Sequence, residues 1–356
     1  VKNKTEIRKA RRALLAWYDA QGRTLPWRVR PEDRANGSAA DPYAVWLSEI
    51  MLQQTTVPHA TPYWEKFLAE FPTVRDLAAA PRDKVLTMWA GLGYYARARN
   101  LHKCAGVISE EHRGTFPGSE AELLKLPGIG AYSAAAIASI CFGEATNVVD
   151  GNVERVISRL FAVEAFLPKA KKELRDLAGT LADPDRPGDY AQALMDLGAT
   201  ICKPKNPKCD ICVWNFACNA FKAGVQERYP RKIKKTKLPV RYGAAFYLQH
   251  GEDVLLRRRP DAGLLGGMME FPGTEWTGEK PDEADWLAQA PASKNWECAG
   301  DITHVFTHFR LHLSVYRASA ANKSAGEIWA GRADLKSRAL PSVMLKVAAQ
   351  AATNKT

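Results

Sequence analysis

Little in this chain would anchor it in a membrane or brace it with disulfides. Its 356 residues hold no apolar run near the roughly 20 residues that a spanning helix needs. No basic-then-apolar leader opens it, which argues against secretion. Cysteines number only seven, an odd count, and four of them fall between positions 202 and 218. A disulfide framework pairs its cysteines at intervals, so this crowding points instead to a metal site in a reducing compartment. Acidic residues are in deficit, with 39 Asp and Glu against 50 Lys and Arg, a formal charge of +11. Such an excess suits a polyanionic partner, although many basic proteins have none. Internal repeats and long low-complexity segments are missing as well, which leaves globular domains, two or three at this length.

What is present divides near residue 240. Residues 5 to about 222 carry apolar positions at helical spacing, such as Ile7, Ala10, Leu14 and Trp17, then Val45, Ser48, Leu52 and Thr55. Further helices are expected near 61–70, 94–110, 131–142, 151–162, 170–182 and 188–199, with prolines placed near several starts. Arg28 to Asp41 is polar and reads as an exposed loop. Arg228 to Arg241 carries seven basic residues and no acidic one, and reads as a linker. Beyond it, Val240–Gln249, Val254–Arg258 and Arg310–Arg317 are short and β-rich, and Ser342–Ala352 has the pattern of a final helix. The expected fold class is therefore an all-α region followed by a smaller α+β domain.

Three features carry chemistry. Leu126-Pro127-Gly128-Ile129-Gly130 permits a tight turn whose backbone N–H groups, at the start of the next helix, can seat a DNA phosphate; on its own it could also be an ordinary connection between two helices. Asp150 follows twenty residues on, before Gly151 and Asn152. Glu49 lies in an apolar run between Leu47 and Ile50–Leu52, where desolvation should raise its pKa and let it hold a proton near neutrality. A helix-surface glutamate is the plainer reading. Paired with Asp150, however, it supplies the two carboxyl groups of glycosidic bond cleavage, one protonating the leaving group and one stabilising the sugar cation. Gln53 and Gln54 add amides suited to base edges or to a vacated base stack. Finally, Cys202, Cys209, Cys212 and Cys218 follow C-x6-C-x2-C-x5-C, one looped segment able to enclose a [4Fe-4S] cluster, with zinc the alternative. Lys203, Lys205 and Lys208 would then sit on a basic loop shaped by the metal. Cys104, Cys141 and Cys298 read as small apolar residues.

Together the hairpin, Asp150 and the cysteines resemble the helix-hairpin-helix DNA glycosylase superfamily in its endonuclease III branch. The runs Trp46 to Thr55 and Gly91 to Leu101 look like the adenine DNA glycosylase (MutY) family in particular. The resemblance implies a six-helix barrel over 42–149, an iron–sulfur subdomain from 1–41 plus 150–227, a linker at 228–241 and a Nudix-like domain over 242–356. It implies excision of adenine opposite 8-oxoguanine or guanine, by a monomeric, cytoplasmic and nucleoid-associated enzyme acting on double-stranded DNA. In that reading Glu49 is the general acid at adenine N7 and Asp150 stabilises the oxocarbenium ion. Tyr132 and Asn152 orient Asp150 or the sugar, although Tyr132 could merely pack. Gln53, Gln54, Tyr94, Arg97, Gly128 and Gly130 are expected to contact DNA. Relatives able to break the strand carry a lysine where this chain has Tyr132, so only base removal is expected. Phe306-Thr307-His308-Phe309 would be the loop that reads 8-oxoguanine, with Thr307 standing where serine is usual and His308 beside it. The glutamate-rich helix of Nudix hydrolases does not follow Gly266-Gly267, so pyrophosphate hydrolysis is not expected. The rival readings are a thymine glycosylase acting on G:T mismatches and a lesion-binding protein without turnover.

Overall fold

The computed structural model describes residues 3–233, 237–291 and 295–353. The chain forms two compact units: Val1–Ala78 with Lys103–Lys234, and Ala79–His102 with Lys235–Thr356. The helices are α1 (Lys4–Gln21), α2 (Pro31–Ala35), α3 (Pro42–Met51), α4 (Val57–Glu70), α5 (Val74–Ala79), α6 (Arg82–Met88) and α7 (Ala96–Glu110). They continue as α8 (Glu120–Leu123), α9 (Ala131–Phe142), α10 (Gly151–Phe161), α11 (Lys171–Leu181), α12 (Pro187–Asp196) and α13 (Asn219–Lys222). No helix among the described residues is long and apolar enough to cross a membrane.

In the first unit, local chemistry sets the helix ends that matter. Asp41 caps α3 by accepting from the Tyr43 N–H at 3.0 Å, and Pro42 occupies the first turn, where a missing N–H costs nothing. From Tyr43 to Met51 every residue but Ala44 is buried. The turn before α9 takes Gly128 at φ +77°, and Gly143 ends that helix in the left-handed region, where glycine is favoured. Alanines 134, 135, 136 and 138 make α9 slim enough for close neighbours. A Cβ on Gly188 of α12 would lie 2.7 Å from the Ser139 carbonyl oxygen, so the two helices approach as closely as glycine allows. After α12 the chain widens into a π-type turn over Leu197–Ile201. A core around Leu14, Trp17, Val153, Leu174, Leu194 and Trp214 joins α1, α10, α11, α12 and the cysteine loop. Burying each leucine contributes about 1.5–3 kcal/mol, and the Trp214 indole N–H fixes that loop to α1 by donating to the Ala10 carbonyl (2.9 Å).

The second unit is a mixed sheet: β1 (Val240–His250), β2 (Asp253–Arg258), β3 (Met269–Glu270), β4 (Glu297–Val305), β5 (Arg310–Ser319) and β6 (Ile328–Gly331). Its order is β3-β2-β1-β5-β4, with β6 also pairing β2. β1 and β5 run parallel from Val240↔Arg310 to Gln249↔Ser319, while β4 pairs antiparallel with β5. Helix α14 (Glu283–Leu287) is short, and α15 (Ser342–Ala352) packs on β1, β4 and β5 over Leu311, Leu313 and Val315.

Ala79–His102, part of the helical barrel expected over 42–149, shares its contacts with the sheet in the second unit. Arg82 pairs with Asp261 (2.7 Å), Arg258 with Asp83 (2.6 Å), and Thr87 donates to the Ser337 carbonyl (3.2 Å). The expected linker is partly structured. The Leu167 N–H donates to the Arg231 carbonyl (2.9 Å), Tyr229 and Arg231 both pair with Glu164, and Val240 already begins β1. Residues 234–236 of that stretch lie outside the described residues. The segment from Arg28 to Asp41, expected as an exposed loop, contains α2 and ties back through Arg28 and Arg30.

Candidate functional site

A cavity of about 1000 Å³ opens in the first unit between the end of α3, the start of α9, the start of α10 and α12. Glu49, Gln53, Gln54, Tyr132, Asp150 and Asn152 all line it. The fold thus joins residues that are a hundred positions apart in sequence.

Glu49 is only 6% exposed, and burial among apolar neighbours pushes its pKa from 4.5 up to about 7. A hydrogen bond from Tyr132 and the charge of Arg28 pull the other way, while the Asp150 charge adds to the rise. At neutral pH this carboxyl is therefore about half protonated, the poise a general acid requires. The Tyr132 hydroxyl also lies 3.3 Å from Met195 Sδ. Its single proton goes to the stronger acceptor, the carboxylate, whenever Glu49 is ionised. Burial and the two nearby carboxylates hold the Tyr132 proton firmly, with a pKa well above 10.

Asp150 stands at the N-cap of α10. Its Oδ1 accepts from the Val153 N–H (2.7 Å) and its Oδ2 from the Asn152 side-chain amide (2.9 Å). The open end of an 11-residue helix favours negative charge here. The amide is itself held, since Asn152 Oδ1 accepts from Arg155 Nη2 (2.9 Å). Arg155 then donates Nε to the Cys202 carbonyl (2.8 Å) and Nη2 to that of Gly198 (2.7 Å). A Cβ on Gly198 would meet the Asn152 Cβ at 2.7 Å, so glycine is what lets the π-type turn touch α10.

The expected DNA contacts separate into two kinds. Gln53 donates to Ser133 Oγ (3.2 Å), tying α3 to α9, whereas Gln54 is exposed in the left-handed region at φ +60°. Gly130 caps α9, and nothing lies within 4 Å of where its Cβ would be, which leaves the N-terminus of that helix open to a ligand. In the second unit Tyr94 is 44% exposed at φ +49°, and its hydroxyl is 2.5 Å from Thr307 Oγ1. Left-handed backbone at two non-glycine side chains is costly, and such strain clusters where a protein grips its ligand. Arg97 instead spends its guanidinium on the turn, donating to the Leu92 (3.0 Å) and Gly93 (3.1 Å) carbonyls with its face over Trp89. Burial lowers its pKa to about 10. Thr307 and His308 form the exposed tip between β4 and β5, closed by the Phe306 N–H donating to the Phe309 carbonyl (2.9 Å).

Three contributors escaped the sequence reading. Asp196 is fully buried and takes Arg23 Nε (2.7 Å) on one oxygen and Arg28 Nη1 (2.8 Å) on the other. Arg28 thereby stands beside Glu49. Burial opposes its charge, but Asp196 more than compensates and raises its pKa. Gln192 is 1% exposed and lines the cavity, and among the described residues its Oε1 has no hydrogen-bond partner. That leaves a bare acceptor for an amino group of whatever enters. A signal existed: Asp189, Gln192 and Asp196 recur at helical spacing in a segment otherwise apolar enough to be wholly buried.

Cys202, Cys209, Cys212 and Cys218 line one small cavity, as a metal centre requires. Arg159, 2% exposed, donates to Cys202 Sγ (3.2 Å) and to the Lys203 (2.7 Å) and Pro204 (3.0 Å) carbonyls, the kind of cation that stabilises a thiolate-bound cluster. Cys104 is buried, and Cys141 and Cys298 are half-buried, all apart from this cavity.

Comparison with known proteins agrees with this arrangement. Residues 47–182 match the HhH-GPD superfamily of base excision DNA repair proteins. Residues 202–218 match the iron–sulfur binding domain of endonuclease III, and 244–350 match the NUDIX domain. The chain resembles a thermostable thymine-DNA glycosylase (29% identity, TM-score 0.54), with 62% of this chain and all of that one aligned. An endonuclease III–DNA complex, at 20% identity and TM-score 0.52 over 64% of this chain and all of that one, shares the fold. The adenine DNA glycosylase of Homo sapiens is 34% identical over 96% of this chain and 74% of its own length. That of Buchnera aphidicola from Acyrthosiphon pisum is 34% identical over 85% of this chain and 84% of its own. Likeness of that extent, through the HhH-GPD region, the iron–sulfur loop and the NUDIX domain alike, makes the chain a member of the adenine DNA glycosylase (MutY) family of base excision repair enzymes.

Proposed function

We propose that the chain removes adenine placed opposite 8-oxoguanine, and opposite guanine, and leaves the DNA strand unbroken. The observation that carries this reading is a carboxyl poised near pH 7, Glu49, in the same cavity as a helix-capping carboxylate, Asp150. Adenine must leave the duplex to be reached, at a cost of a few kcal/mol. Gln54 enters the vacated stack, and the hairpin at Gly128–Gly130 holds a backbone phosphate; Tyr94, in the second unit, is a DNA contact in its own right. Within the cavity the Gln192 oxygen accepts from the exocyclic amine. The Glu49 proton passes to adenine N7 as the glycosidic bond breaks, so the base departs neutral. Asp150, fixed by Val153 and Asn152, faces the sugar cation that remains. Ionised Glu49 then takes a proton from the water that attacks the sugar, which restores its starting state.

No amine stands where strand-breaking relatives carry lysine. The Tyr132 hydroxyl donates to Glu49 instead, and a phenol cannot form a Schiff base. Cys202, Cys209, Cys212 and Cys218 would hold a [4Fe-4S] cluster. Its contribution is to fold the loop bearing Lys203, Lys205 and Lys208 and, through the Cys202 carbonyl, to hold Arg155, Asn152 and Asp150 in line. The Phe306–Phe309 turn reads the base opposite the adenine. Thr307 and Tyr94, joined by their hydroxyls, form one exposed contact there.

The test is a duplex in which 7-deazaadenine replaces adenine. It pairs normally but lacks the N7 lone pair, so single-turnover excision should fall by at least the roughly 10²–10⁴ that general acid catalysis supplies. Excision at the normal rate would remove Glu49 from its assigned role.

A further inference from the structure

Within the second unit, the loop that follows β2 grips the segment carrying Tyr94. Pro260 to Gly267 closes on itself, with the Gly267 N–H donating to the Pro260 carbonyl (3.0 Å) and the Arg259 N–H to the Met268 carbonyl (2.9 Å). A Cβ on Gly266 would lie 2.4 Å from the Asp261 carbonyl oxygen, so glycine is what permits the closure. The loop stands where a Nudix hydrolase would begin its glutamate-rich helix, and here it runs into the short strand β3 instead.

Three arginines and two carboxylates meet at this loop. Arg82, the first residue of α6, makes a two-pronged pair with Asp261, Nη2 to Oδ1 at 2.7 Å and Nη1 to Oδ2 at 3.1 Å. Arg258, the last residue of β2, repeats that geometry in the opposite sense with Asp83, at 2.8 and 2.6 Å. Two loop carbonyls are taken as well, Gly266 by Arg99 Nη1 of α7 (2.5 Å) and Gly267 by Arg258 Nη1 (3.1 Å). Gly267 sits at φ +72°, and a Cβ there would be 2.5 Å from Arg82 Nη2. The neighbours Arg82 and Asp83 thus offer one charge of each sign, and Asp261 and Arg258 answer with the opposite ones. A slip of one residue would set like charges together, so the pattern fixes register. An isolated exposed pair contributes little, but two-pronged pairs in one network fix geometry as well as energy.

The clasp brackets Tyr94. Arg82 and Asp83 precede it in the chain, and Arg99 follows it by five positions. Between these ties the chain is stiff. The Trp89 indole N–H donates to the Gly93 carbonyl (3.1 Å), Arg97 donates to the Leu92 and Gly93 carbonyls, and Gly91, Gly93 and Tyr94 all hold positive φ. Thr87 adds its bond to the Ser337 carbonyl. A stiff turn gripped on both sides moves as one body with the sheet, and its Tyr94 hydroxyl meets Thr307 Oγ1.

We propose that Arg82, Asp83, Arg258 and Asp261 are positioning residues for recognition of the base opposite the adenine. They clasp the Tyr94 turn to the sheet, so that Tyr94 and Thr307 meet that base as one unit. This inference rests on the reading that the Phe306–Phe309 turn recognises that base.

The test uses the full chain with its cluster and the variants Asp261→Asn, Arg82→Gln, the two combined, and Asp261→Glu. Asp261 is exposed and Arg82 partly so, and neither lines the cavity of Glu49. Single-turnover excision is compared for adenine opposite 8-oxoguanine and opposite guanine. Asp261→Asn and Arg82→Gln should each lower the ratio of the two rates by about two- to fivefold, the scale of an exposed ion pair. The double variant should be no worse than either single one, because both remove the same contact. Asp261→Glu, which keeps the charge, should retain most of the ratio. Amide hydrogen exchange over residues 89–99, measured without DNA, should quicken in Asp261→Asn. An unchanged ratio in both single variants, losses that add in the double, or unchanged exchange would overturn the proposal. Thr307→Ala combined with His308→Ala separates the clasp from the reading beneath it. A ratio unmoved by that pair would overturn the reading of the turn and the proposal with it. A ratio lowered by that pair but unmoved by Asp261→Asn would overturn the clasp alone.

Discussion

Glu49→Gln should make the first unit more stable, and the gain should depend on pH. Burial raises the Glu49 pKa from 4.5 to about 7. Between those values the unfolded chain has released this proton while the folded chain keeps it. The folded state binds more protons across that window, so the contribution of Glu49 to stability falls as pH rises. Full below about 4.5, it is lost once pH passes about 7. A difference of about 2.5 units at 1.36 kcal/mol each makes the loss about 3 kcal/mol, an order-of-magnitude figure. Glutamine keeps the shape and can still accept from Tyr132, but it carries no charge to bury. At pH 8 the variant should therefore unfold several degrees above wild type, and the gap should close as pH falls toward 5. Differential scanning calorimetry of both proteins with intact clusters, at pH 5 to 8, measures it. A variant no more stable than wild type at pH 8, or a gap that widens on acidification, would refute the assignment of a desolvated carboxyl.

Two further predictions concern Asp150. Asp150→Asn keeps an acceptor at the α10 N-cap, so stability should change by no more than about 1 kcal/mol, while base release falls below detection; single-turnover kinetics beside thermal unfolding separates the two. Gly198→Ala places a methyl 2.7 Å from the Asn152 Cβ, and should slow base release at least tenfold by displacing Asn152 from Asp150. Unchanged kinetics in that variant would show that the Asn152 contact does not position the carboxylate.

Much of this site is legible in the sequence because its parts are local. Asp41-Pro42 caps α3, Gly128 and Gly130 bracket a turn, Asp150 caps α10, and the cysteines arrive from a single loop. What escapes depends on contacts distant in sequence. Arg28 reads as loop until Asp196, 168 residues away, is seen to accept from it. Ala79–His102 is helical by pattern, yet ion pairs spanning 179 and 175 positions bind it to the sheet unit. Strand β4 was missed because Gly300 and Asp301 weaken its β character; a register shift between Cys298 and Gly300 accommodates the irregularity.

The most direct measurement is a single-turnover incubation with a duplex carrying adenine opposite 8-oxoguanine, analysed with and without alkali. Glu49 as acid, Asp150 as the stabilising carboxylate and Tyr132 in place of an amine predict free adenine and strand breaks only after alkali. Breaks without alkali would mean that another nucleophile attacks the sugar. Release of thymine from a G:T duplex, with adenine left in place, would contradict the assignment altogether.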